Sequence, residues 1–109
     1  MKLISKVRPS RTFAYDMQEA IKKCVAALKS DSNVSIQSID PEEGEIRCVW
    51  NMKINKFLGA EGMLVRYSFV EKAPGVTVVT AAAGFEAGGD FLDFGGIGEK
   101  IMNKPFDKM

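Results

Sequence analysis

Between Thr12 and Ser30 the apolar side chains Phe13, Met17, Ala20, Ile21, Cys24, Val25 and Leu28 recur at steps of mostly three and four residues, the stripe of an amphipathic helix. Pro9 lies just ahead, Ser10 or Thr12 is available as a cap, Asp16 and Glu19 come early, and Lys22, Lys23 and Lys29 come late. That charge order complements the helix dipole. Before this segment Leu3, Ser5 and Val7 alternate with Ile4, Lys6 and Arg8, as in a short strand with one wet face.

After the turn-forming triplet Asp31-Ser32-Asn33, the run from Val34 to Ile39 reads as a strand, and Asp40-Pro41-Glu42-Glu43-Gly44 reverses the chain. From Glu45 to Ile54 the alternation is unbroken. Ile46, Cys48, Trp50, Met52 and Ile54 share one face, and Glu45, Arg47, Val49, Asn51 and Lys53 share the other. Gly59-Ala60-Glu61-Gly62 closes a second hairpin, after which Met63, Val65, Tyr67 and Phe69 alternate with Leu64, Arg66, Ser68 and Val70. Lys72-Ala73-Pro74-Gly75 turns the chain into the β-branched run Val76 to Ala81.

The last third is glycine-rich, with glycine at 84, 88, 89, 95, 96 and 98 among Phe85, Phe91, Phe94 and Ile97. Phe94, Ile97, Ile101 and Met102 fit one face of a terminal helix, which Asp90 would cap and Pro105 would stop soon after Asn103. The pattern predicts an α+β domain with a five-stranded antiparallel sheet, in the order β-α-β-β-β-β-α, and helices packed on one face. Residues 1–109 form a single domain in this scheme, with residues 1–83 as the defined core and 84–109 as the glycine-rich segment. This order resembles that of small β-α-β4-α domains: the half-domain of the TATA-binding protein and, more loosely, helix-grip ligand carriers and uncharacterised bacterial domains. The likeness spans nearly the whole chain as an order of elements and carries no motif that would transfer functional positions.

Composition narrows the function classes. No apolar run reaches the roughly 18 to 20 residues of a membrane span, and the opening Met-Lys-Leu-Ile-Ser-Lys-Val-Arg-Pro places charges where a signal peptide would be apolar. A cytoplasmic protein is expected, with Cys24 and Cys48 as reduced core thiols. The net charge of +1 hides an asymmetry: residues 1–30 carry seven Lys or Arg against two acids, and the remainder carries eight against twelve.

The chain contains no histidine, which removes Ser-His-Asp and Cys-His catalysis and the commonest transition-metal ligand. Carboxylate or lysine chemistry survives as an alternative, but no residues form a recognisable catalytic constellation, and no metal site or cofactor is expected. Asp40, Glu42, Glu43 and Glu45 surround a turn without the alternating spacing of a calcium loop. Of Glu86, Asp90 and Asp93 near the expected last helix, Asp90 as a cap and Asp93 in the first turn are accounted for by helix electrostatics. Gly95-Gly96-Ile97-Gly98-Glu99-Lys100 lacks the frame of a phosphate loop and the hydroxyl residue after its lysine.

Side-chain parity leaves one functional inference. If Leu3, Val7, Val34, Ile36, Ile46, Trp50, Tyr67 and Val78 point inward, then Lys6, Arg8, Arg47, Lys53, Arg66 and Lys72 point outward beside Ile4, Val49, Leu64, Val70 and Val79. A helix-free face of cations and aliphatics suits a homodimer or a protein partner. Two alternatives share the chain: the same cations could meet nucleic acid or another polyanion, or an apolar ligand could enter between sheet and terminal segment past Phe57, Leu58, Phe91 and Phe94. Parity assigns Trp50 to the core, where burying such an aromatic is worth on the order of 2 kcal/mol, so Trp50→Ala is expected to injure stability before function, as urea titrations would show.

Overall fold

The computed structural model describes residues 2–3, 9–51, 62–85, 92–93 and 97–109. Its elements in chain order are β1 (Lys2–Leu3), β2 (Ser10–Phe13), α1 (Met17–Lys29), β3 (Val34–Asp40), β4 (Glu45–Trp50), β5 (Met63–Ala73), β6 (Val76–Phe85), β7 (Leu92–Asp93) and α2 (Ile97–Lys108). Five strands form an antiparallel sheet in the order β2-β6-β5-β4-β3. β2 and β3 are thus its two edges, and the chain passes between them through α1. The short strands β1 and β7 pair separately.

Both helices cover the same face. α1 buries Ala20, Ile21, Cys24, Ala27 and Leu28, and α2 buries Met102, Pro105 and Phe106. They meet the inward row of the sheet: Ile46, Cys48 and Trp50 from β4, Met63, Val65, Tyr67 and Phe69 from β5, and Val79, Ala81 and Ala83 from β6. Register makes these rows coincide, since Ile46 faces Tyr67, Cys48 faces Val65 and Trp50 faces Met63 across the strands. Residues directly opposite in an antiparallel pair share a face, so in the uninterrupted β4–β5 ladder one correct pairing fixes the others.

The predicted helix begins later than its periodicity suggests. Ser10–Phe13 is an edge strand, paired with Val78 and its neighbours on β6, so neither Ser10 nor Thr12 caps α1. Asp16 does: its carboxylate accepts the amide of Glu19 at 2.8 Å, and Glu71 accepts the amide of Met17 at 2.7 Å. Both acids satisfy orphan donors at the positive end of the helix. Phe13 still reaches the core because inward strand positions and a helix stripe both bury it; its ring lies 6.0 Å from Phe106.

Two further expectations need correction. Val79, not Val78, is the buried member of β6, because a register shift between Glu71 and Ala73 resets the phase of the strand that follows. Thr77 consequently falls in the inward row, where its hydroxyl donates to the carbonyl of Tyr15 at 2.8 Å. Pro105 does not end α2 but lies inside it. A proline there leaves the carbonyl of Ile101 without its helical donor, and the cost is offset by burying Pro105 and Phe106 against the sheet.

Gly44, in the β3–β4 turn, has φ of 68°, and a Cβ there would stand 2.7 Å from the carbonyl oxygen of Phe69. Gly75, in the β5–β6 turn, has a similar φ of 75° with open space around it. Gly44→Ala is therefore expected to destabilise by several kcal/mol and Gly75→Ala by only about 1 kcal/mol, the backbone component that both share. Thermal and urea unfolding of the two variants measures the difference.

Candidate functional site

The outward row of the sheet is a strip without helical cover among the described residues. Across its middle Arg47 of β4 sits directly opposite Arg66 of β5, with Ser38 of β3 and Ala82 of β6 on either side. One step along lie Val49, Leu64 and Ser35, and one step the other way lie Asp40, Glu45, Ser68, Thr80 and Ser10. Val70, Val78 and Thr12 form the next row. Val70 is 56% exposed, and Lys72 stands exposed at the β5 irregularity.

Opposed like charges on a sheet are unfavourable, and the site answers only half of that. Nε of Arg47 donates to Glu45 at 2.6 Å. No carboxylate among the described residues forms an ion pair with Arg66. One guanidinium is thus matched within the chain and its neighbour is left facing outward amid Leu64, Ser68 and Ala82.

Of the residues expected on this face, Arg47, Val49, Leu64, Arg66, Val70 and Lys72 stand on or beside it, fully or partly exposed. Lys6, Arg8 and Lys53 lie outside the described residues, as do Phe57, Leu58, Phe91 and Phe94 of the alternative ligand mouth. Ser35, Ser38, Ser68, Thr80 and Ala82 belong to the same strip although charge and hydrophobicity did not single them out. Their strand parity was the available signal. The basic excess of the first thirty residues goes elsewhere in the described part: Arg11 pairs with Asp107 at 2.9 Å and lies 5.4 Å over the Phe106 ring, while Lys23 lies 3.6 Å from Glu19.

The helix side carries less chemistry. A shallow cleft of about 300 Å³ lies among Lys23, Ala26, Ala27, Ser30 and Lys108, and Lys108 already donates to the Ser30 hydroxyl at 2.9 Å. Among the described residues no group of His, Cys, Asp or Glu side chains is arranged to hold a metal ion, and no helix is long and apolar enough to cross a membrane. The chain matches no known family model, and no curated protein sequence matches it.

Beneath the sheet both cysteines are free and buried. Burial, chiefly, pushes each thiol from its ordinary 9.0 up to about 12, the other thiol adding to the effect at Cys24 and the Trp50 indole slightly opposing it at Cys48. Burial likewise raises the Tyr67 phenol. The unfolded chain therefore gives up these protons first. Their contribution to stability is complete below about pH 9 and declines as pH rises toward 12, at about 1.4 kcal/mol per pH unit for each thiol. Urea unfolding across pH 8 to 10.5 should show this alkaline decline, shallower in Cys24→Ala, and native thiols should resist a thiol reagent at pH 8 until the chain unfolds.

Proposed function

We propose that the protein is a non-catalytic interaction module whose open sheet face docks against a protein surface, another chain or a second copy of this one. The observation that carries this is the outward strip itself: aliphatic side chains at Val49 and Leu64 on one side and at Val70 and Val78 beyond Ser68 and Thr80 on the other, with a guanidinium at Arg66 between them that no described carboxylate matches. Aliphatic area supplies adhesion when water leaves it, and an arginine in such a setting selects a carboxylate by geometry as well as charge. Free, buried thiols suit a reducing compartment such as the cytoplasm. A polyanion has less to hold here, because Glu45 neutralises one of the two central arginines and adds a repelling charge.

A benzophenone side chain placed at position 70, with a control at position 22 on the exposed side of α1, tests the proposal. Illumination in the producing cells should yield protein adducts from position 70 that Arg66→Glu removes, and none from position 22. Equal labelling from both positions, or none from position 70, overturns it.

A further inference from the structure

The open face carries its two signs of charge in separate adjacent rows. Asp40 lies directly opposite Glu45, and two residues along the strands Arg47 lies directly opposite Arg66. A strip of one sign would repel a copy of itself. Two neighbouring rows of opposite sign are self-complementary under a two-fold axis running between them, parallel to the sheet and across its strands. Such an operation reverses the strands and stacks the acidic row of each copy over the basic row of the other, the reciprocal contact that an isologous interface requires.

We infer that the occupant of this face is a second copy of the chain, seated sheet to sheet about that axis, which sets each strand over its own copy, so that Arg47 of each protomer lies over Glu45 of its partner, Arg66 lies over Ser68 beside that carboxylate, and Val49, Leu64, Val70 and Val78 close around the contact. This rests on the docking role proposed above and names its partner. Area permits it: five strands spaced about 4.8 Å apart and paired over about 20 Å present on the order of 500 Å² per copy, so that a pair buries about 1,000 Å², near the lower bound for a specific interface. The interface is small and contains polar hydroxyls, so the dimer is a reversible one whose population depends on protein concentration and weakens with salt.

Sedimentation equilibrium on the purified full chain, from micromolar to millimolar concentration and at two salt concentrations, gives the first test. The dimer should appear with rising concentration. Arg66→Glu and Glu45→Arg should each weaken self-association at least tenfold, because each sets like charges against one another across the axis. An equimolar mixture of the two variants should associate more tightly than either variant alone, since the acid introduced at position 66 of one chain then meets the base introduced at position 45 of the other. Melting temperatures of both variants, whose altered side chains lie on the solvent side of the sheet, check that each is folded. A chain that stays monomeric at millimolar concentration overturns this inference, and so does a dimer indifferent to Arg66→Glu or a mixture that fails to associate. Persistence of face-specific adducts to other proteins from position 70, in a chain that is monomeric, would refute the second copy while preserving the docking role; loss of both would remove the two together.

Discussion

A phenol buried under a helix needs a hydrogen-bond acceptor, and the hydroxyl of Tyr67 finds it in the carbonyl of Met102 at 3.1 Å. That bond joins the central strand of the sheet to α2 one residue beyond the carbonyl that Pro105 deprives of its donor. The ring of Tyr67 also meets Phe106 edge-on at 5.8 Å. With those contacts made, α2 can turn only Met102, Pro105 and Phe106 toward the sheet. The small side chains Ala81 and Ala83 on β6 lie in the same core and take up little of the space beneath the helices.

One-sided cover follows from the same arrangement. Both helices crowd onto the face that carries Trp50 and Tyr67, and the polar and aliphatic row behind them has no helix over it among the described residues. Arg47 and Arg66 can stand side by side there because both are exposed, so water screens them, and Glu45 pairs with the first. Under a helix, the same pair would be untenable.

Much of this was legible in the sequence where alternation was strict. Ile46, Cys48 and Trp50 on β4, and Val65, Tyr67 and Phe69 on β5, declare their face because polar residues separate them, and the sheet and its one-sided helices follow. Legibility failed where two rules overlap or a residue is inserted. Phe13 satisfies a helical stripe and a strand face equally, so the boundary between β2 and α1 could not be placed from spacing. In the run Val76-Thr77-Val78-Val79 the one polar residue, Thr77, is buried and so misreports the phase, and the irregularity that decides it lies back in β5. Pro105 ends helices when judged locally, yet here tertiary contacts made by Phe106 and Tyr67 outweigh the lost backbone bond. Of the open face, the members on β4 and β5 were readable one by one; the juxtaposition of Arg47 with Arg66, and of Asp40 with Glu45, depends on register and emerges only with pairing.

The offset residue at the tip of β5 has an implication for how the family of sequences able to adopt this fold could vary. Every residue of β6 from Thr77 onward takes its sidedness from that single irregularity. A deletion there would turn Val78, Thr80 and Ala82 into the helices and drive Val79, Ala81 and Ala83 out to water. Surface tips ordinarily tolerate changes of length. This one behaves as a reading frame for the strand downstream, so its length should drift only in steps of two.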